Sequence, residues 1–223
     1  MSARSTHTSS RASSTDAPAP PPRVTRRRSE TRQRMLDAAF EVFAARGFGR
    51  ATVEEVCEAA GYTRGAFYSN FSSMDELFFA LYEQRTAAMV ALIEQTLAGT
   101  ISAAQEGDLA GAVDRILASL GADSRWYAVN AEFTAHALRH PEVAAALARY
   151  RRAVRQALIP IVEAAAAGGK LPAASATPDL LARTIVAIHD GTLPQVLIEP
   201  DDESLRKWQR DLLLGATLGG RST

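Results

Sequence analysis

Cysteine is nearly absent from the chain. Cys57 is the sole thiol among 223 residues, which excludes an intrachain disulfide. It lies on an apolar stripe, so it reads as a small buried side chain rather than a redox sensor. No uninterrupted apolar run is long enough to span a bilayer, and the N-terminus lacks the apolar centre of a secretory signal. That N-terminus has the Ser, Thr and Arg content of a transit peptide but forms no convincing amphipathic helix, and a bacterial cytoplasmic location is expected. No membrane partner follows. Strand alternation of useful length is missing, and the fold class expected is all-α. Local catalytic signatures are missing too: there is no Gly-x-Ser-x-Gly, Walker A or dinucleotide glycine-rich loop. Without a nameable set of nucleophile and base, no enzyme and no cofactor are expected. Lysine is scarce, Lys170 and Lys207 being the only two among 25 basic residues.

Net charge is also missing, since 25 basic residues balance 25 acidic ones. The balance is uneven along the chain. Residues 1–34 hold eight Arg against Asp16 and Glu30, a charge of +6, so the remainder carries −6. Positive charge at one end suits phosphate contact. Residues 1–24, with Pro18, Pro20, Pro21 and Pro22, have little apolar content and read as a disordered arm. Arg23, Arg26, Arg27 and Arg28 close that arm. It reads either as a solvated linker or as an arm that follows the phosphates or enters the minor groove, nonspecific contact being favoured by its place beside the motif.

The most informative stretch is residues 52–71. Thr52 is an N-cap and Glu55 completes a capping box. Val53, Val56, Cys57 and Ala60 form one apolar stripe, and Gly61 supplies a left-handed stop. Thr63 caps a second helix anchored by Phe67 and Phe71, with Arg64, Gly65, Tyr68 and Ser69 facing out. Two helices joined through a glycine at this spacing read as a helix-turn-helix, the second being the recognition helix. The candidate DNA contacts are Arg27, Thr52, Thr63, Arg64, Gly65, Tyr68, Ser69 and Asn70. Upstream, Leu36, Ala39, Phe40 and Phe43 share a helix face that stops at Gly47; downstream, Ser73 and Glu76 form a second capping box.

Residues 27–82 as a whole resemble the tetracycline-repressor (TetR) family of bacterial transcriptional regulators. The resemblance rests on Leu36-x-Ala38-Ala39-x-x-x-Phe43-x-x-x-Gly47-Phe48, Thr52-Val53, Ala60-Gly61-Tyr62-Thr63-x-Gly65-x-Phe67-Tyr68 and Phe71-x-x-x-x-Glu76-Leu77. One position departs: Met74 stands where the family usually has a Lys that helps hold phosphate near the fourth helix. The resemblance implies a three-helix DNA-binding domain, residues 25–73, followed by an effector-binding and dimerisation domain, residues 74–223. It also implies a homodimer on a pseudo-palindromic operator, released by a small molecule. The other reading left open is a constitutive architectural or nucleoid-type dimer with no effector.

The second half reads as further helices. One runs from Met74 to about Ala98 with Gly99 as its stop, a rod of about 37 Å and a plausible lever. Others span about 107–120, 125–139, 141–167, 178–198 and 202–218, with Pro160 and Pro194 inside two of them. Trp126, Tyr127, Phe133, His136 and Tyr150 fall where family members enclose effectors and are the candidate ligand residues. Glu132, His136 and His140 recur every four residues, a spacing that suits a divalent metal. His140 sits beside Pro141 at a fraying end, so a structural role is expected and no metal is assigned. Arg149, Arg151, Arg152 and Arg155 read as a solvated face, and His189 beside Asp190 as structural. In the family the last two helices form a four-helix dimer interface, for which Leu181, Ile185, Leu205, Trp208 and Leu212 are the candidates.

Overall fold

Each helix ends where a local signal ends it. The structure is a computed structural model describing residues 23–167 and 177–218, and all regular structure among these is helical. Helix α1 (Arg23–Arg46) stops at Gly47, whose φ of +84° favours glycine. A single 3-10 turn, Phe48–Arg50, leads into α2 (Val53–Ala60). The expected capping box is complete at Thr52 and Glu55, and Gly61 ends α2 in the left-handed region at φ +71°. Helix α3 is only Arg64–Tyr68, with the Thr63 hydroxyl accepting from the Ala66 amide at 3.2 Å.

Three expectations need correction. The supposed arm ends earlier than residue 24, because α1 is already formed at Arg23; Arg27 and Arg28 are helical, and residues 1–22 lie outside the described part. Arg28 and Arg32 give this extension a reason to fold. They reach back to the carbonyls of Ser69 (3.2 Å) and Asn70 (3.4 Å), and the Arg32 guanidinium covers the Phe71 ring at 4.5 Å. The second capping box is skewed: Ser73 accepts from the Glu76 amide, but the Glu76 carboxylate reaches back to the amide and hydroxyl of Ser72 instead. Finally, α4 (Met74–Glu106) does not stop at Gly99. It runs 33 residues, about 50 Å, to Gly107 at φ +92°. A glycine inside a helix costs only about 1 kcal/mol, and burial of Ile93, Thr100 and Ala103 on either side offsets it.

Five more helices follow: α5 (Leu109–Leu120), α6 (Ser124–Ala137), α7 (Pro141–Ala167), α8 (Pro178–Ile198) and α9 (Glu203–Leu218). Helices α7 and α8 continue through Pro160 and Pro194. Two cores hold these elements together. The first joins α1, α2 and α3 to the start of α4, to Val129 and Phe133 of α6, and to Val143 and Leu147 of α7. It therefore crosses the boundary expected between residues 73 and 74. The second packs the later turns of α4 against α5, the end of α7, α8 and α9. Cys57 is a buried member of the first core, and burial raises its thiol pKa. None of the described helices is long and apolar enough to cross a membrane.

Candidate nucleic-acid interface and ligand cavity

The outward face of the helix-turn-helix is narrow and polar. Phe67 and Phe71 are almost wholly buried, so α3 can only present Thr63, Arg64, Gly65, Tyr68 and Ser69 to solvent. Arg64 stands at the first position of α3 and its guanidinium meets the Glu54 carboxylate at 2.6 Å. The Tyr68 hydroxyl and then Glu54 favour the charged form of Arg64 and raise its pKa. Tyr68, about half exposed, stands beside Arg64 with its ring edge-on to Phe67 at 5.3 Å. A cation bearing a planar fork beside an exposed phenol suits a base edge or a phosphate.

The other candidates are less free. Thr52 holds Glu55 through both its amide (3.0 Å) and its hydroxyl (3.2 Å), so a phosphate there must displace that carboxylate. The Ser69 hydroxyl donates to the Gly65 carbonyl at 2.8 Å and keeps only acceptor capacity. Asn70 turns inward: its amide nitrogen bonds the Ala66 carbonyl at 2.8 Å, while Oδ1 is buried without a partner among the described residues. Asn70 thus serves the end of α3 rather than the outer face. Arg27 is exposed on α1.

Behind this head, α4, α5, α6, α7 and α8 surround a cavity of about 530 Å³. Trp126 and Tyr127 of α6 and Tyr150 of α7 line it, as expected. Phe133 and His136 do not. Phe133 is fully buried in the first core, stacked on Phe78 at 3.7 Å between centroids. His136 faces the 3-10 turn, 5.4 Å from the Phe48 ring, with His140 stacked on it at 4.1 Å. At about 100° per residue His136 lies on the face of α6 away from Tyr127 and Asn130, whereas Phe133 is within about 20° of Trp126, at the edge of the wall, and turns its ring onto Phe78. A somewhat more open depression of about 730 Å³ runs between α1 and α4 past Arg34, Asp37 and Glu41; its charged rim suits a small ligand less well than the aromatic-walled cavity does.

Several wall residues escape the sequence reading. Met89, Leu92, Val154, Val186 and Leu193 supply apolar surface. Tyr82 donates to Asn130 Oδ1 at 2.9 Å, and burial pushes its phenol up to about 12. His189 is 6% exposed; burial pushes its imidazole down to about 4, and its Nδ1 has no partner among the described residues. Asp190 sits at the rim, where the surrounding protein raises its pKa and Arg151 pulls it back. Arg151 comes from the run read as solvated; Arg155 of the same run pairs with Asp179 across to α8 at 3.4 Å. Arg85, another wall residue, is paired with Asp123 at 3.8 Å. An i, i+4 spacing marks these residues as one helix face, but only the packing of five helices shows which faces converge.

Among the described residues no three His, Cys, Asp or Glu converge on a metal position. Glu132 is engaged elsewhere: its carboxylate accepts from the Phe48 amide at 2.7 Å. The candidate dimer set divides. Ile185 and Leu181 pack into the second core, whereas Trp208 and Leu212 on α9 are exposed, together with Leu180 and Ile198 on α8. Leu205 is half-buried.

Residues 35–81 match the family model for bacterial regulatory proteins of the tetR family, and residues 104–214 match that for the C-terminal part of BetI-type transcriptional repressors. SrpR, an HTH-type transcriptional regulator of Pseudomonas putida, is 46% identical over 56 residues, covering 25% of this chain and 26% of SrpR. The chain aligns with between about a quarter and just under half of the length of curated relatives such as these. Among solved structures, FadR of Bacillus subtilis in complex with stearoyl-CoA superposes with a TM-score of 0.66 at 18% identity, covering 85% of this chain and 99% of FadR. SmeT in complex with triclosan gives 0.62 at 25% identity over 84% and 91% of the two chains. The helix-turn-helix head, the all-helical body behind it and the matches to both halves agree: the chain belongs to the tetR family of bacterial regulatory proteins.

Proposed function

We propose that the protein is a cytoplasmic, non-enzymatic transcriptional repressor that holds operator DNA as a homodimer and is released by a small molecule. The observation that carries this reading is the shared use of α4 and α6. Both helices line the 530 Å³ cavity and both pack into the core of the helix-turn-helix unit. A ligand that favours another placement of those helices must weaken DNA binding by linkage. An architectural binder without effector has no use for such a cavity. FadR and SmeT, which hold stearoyl-CoA and triclosan in the same fold, support the cavity as an effector site.

The wall chemistry favours an uncharged, largely aromatic effector. Tyr82, Trp126, Tyr127 and Tyr150 supply flat surface, and the charged wall groups balance in number, two arginines against two aspartates. His189 is kept neutral by the same burial that would penalise an ionised ligand group beside it. Dimerisation uses the exposed apolar residues Trp208 and Leu212 of α9 with Leu180 and Ile198 of α8, which the chain otherwise leaves open to solvent. Two recognition helices would then read half-sites whose centres lie about 34–36 Å apart, or a multiple of that.

The test is a footprint of the purified protein on its own promoter region, followed by titration of the complex with N-phenyl-1-naphthylamine as an uncharged probe. Protection of one pseudo-palindrome that is lost as the probe binds supports the reading. Protection of many unrelated sites, or a complex indifferent to cavity occupancy, overturns it.

A further inference from the structure

Glu132 and His136, four residues apart, form a face of α6 that meets the 3-10 turn, with His140 stacked on His136 at 4.1 Å. Glu132 Oε2 accepts from the Phe48 backbone amide at 2.7 Å, a contact between residues 84 apart in sequence. Phe48 opens the 3-10 turn, and the first amides of such a turn have no internal acceptor. Its ring is wedged among Phe43 (5.4 Å), Phe78 (4.9 Å), Phe133 (5.6 Å) and His136 (5.4 Å). Gly47 adjoins this bond with φ +84°, and a Cβ there would meet the Glu132 carboxylate oxygens at 2.7 and 2.8 Å. The absence of a side chain at residue 47 is what admits the carboxylate. The turn then runs directly into Thr52, the N-cap of α2.

We infer that Glu132 is a positioning residue that latches α6 to the 3-10 turn and so orients the helix-turn-helix. Helix α6 presents Trp126, Tyr127 and Asn130 to the cavity on one face and Glu132 and His136 to the turn on the other. A shift of α6 therefore reaches α2 through residues 47–52 without passing along α4. Arg125 steadies the start of α6 on α1 through Glu41 at 2.6 Å. The latch rests on reading the cavity as the effector site only for its ligand response; its effect on the free head does not.

The test uses full-length dimers carrying Glu132→Ala, Glu132→Gln, Gly47→Ala and the double change Gly47→Ala with Glu132→Ala. Operator affinity is measured by fluorescence anisotropy, and folding by circular dichroism. An unlatched head samples more orientations, so the DNA-competent fraction falls. Glu132→Ala should weaken operator binding about 2- to 30-fold, the usual range for residues that modulate coupling. Glu132→Gln keeps an acceptor oxygen and should recover most of the loss. Gly47→Ala expels the carboxylate, so adding Glu132→Ala to it should change nothing further. Hydrogen exchange at the Phe48 amide should quicken in Glu132→Ala and stay slow in Glu132→Gln. Wild-type operator affinity in a folded Glu132→Ala dimer, or full additivity of the two substitutions, overturns the latch. N-phenyl-1-naphthylamine binding, followed separately by its fluorescence, shows whether the cavity reading has failed instead.

Discussion

Replacing Phe133 with Ala should loosen the junction between the head and the body rather than widen the effector cavity. The ring is fully buried and stacked on Phe78 at 3.7 Å, with Phe48, Phe79 and Tyr82 at 5.6, 5.7 and 5.9 Å around it. Removing a core phenyl group costs about 3–5 kcal/mol, because the transfer energy is lost and a void remains. In a chain of this size each kcal/mol lowers the melting temperature by about 2–4 °C, so a drop of about 6–20 °C is expected. The void adjoins α1, α4 and α6 together, and operator affinity should fall with stability even where the variant is still folded. Trp126→Ala, which acts on the cavity wall, should instead weaken probe binding with a smaller thermal effect. The assay is thermal denaturation at one fixed protein concentration, since a dimer's midpoint depends on concentration. A Phe133→Ala protein that melts with the wild type yet no longer binds the probe would refute this placement of the ring.

Three further outcomes follow from the same contacts. Arg64→Ala should lower discrimination by about 1–3 kcal/mol at one position of each half-site, whereas Glu54→Gln, which frees Arg64, should strengthen binding; equal sequence preference in all three proteins would clear Arg64 of base reading. Leu212→Arg places a charge in the proposed α8–α9 interface and should give monomers by sedimentation; a tight dimer would move the interface elsewhere. His189 takes up its proton only near pH 4 when folded but near 6.5 when unfolded, so the unfolded state binds the extra proton between those values. Stability should therefore decline as pH falls from 6.5 towards 4 and be insensitive to this group above that window. His189→Leu should flatten that part of the urea-unfolding profile, and an unchanged slope would show the imidazole to be solvated.

Local signals were legible where a few adjacent residues decide the outcome. Thr52 with Glu55, Gly61 and Thr63 each set a helix end by bonds spanning three or four residues, and all formed as expected. Gly99 misled because propensity is a weak term that buried neighbours along α4 outweigh. Asn70 turns inward for a related reason: a short polar side chain near a helix end can bond its own preceding turn and leave the outer face, whereas Ser69 makes the same kind of bond and stays exposed. The cavity was only half legible. Trp126, Tyr127 and Tyr150 were identified by ring chemistry, which does not distinguish a wall from a core, and so Phe133 was grouped with them. His189 and Arg151 could not be placed without knowing how α7 and α8 turn towards α4.

The connection between head and body has a geometric requirement that α4 alone does not meet. A single helix shared by two units fixes one axis and leaves rotation about it free. The spacing of two recognition helices on DNA depends on that rotation as much as on tilt. Attachments away from the α4 axis remove the freedom. Val129 and Phe133 of α6 and Val143 and Leu147 of α7 pack into the core of the head, and α6 adds two polar contacts, Arg125 on Glu41 and Glu132 on the Phe48 amide. The Glu41 pair is an exposed ion pair and contributes little on its own. The Phe48 contact is stiffer, since its acceptor is held beside a glycine and the attached ring is locked among four others. A ligand need not bend the 33-residue α4 to change operator affinity. On the proposed latch, a ligand that favours a position of α6 in which that amide loses its carboxylate would lower operator affinity.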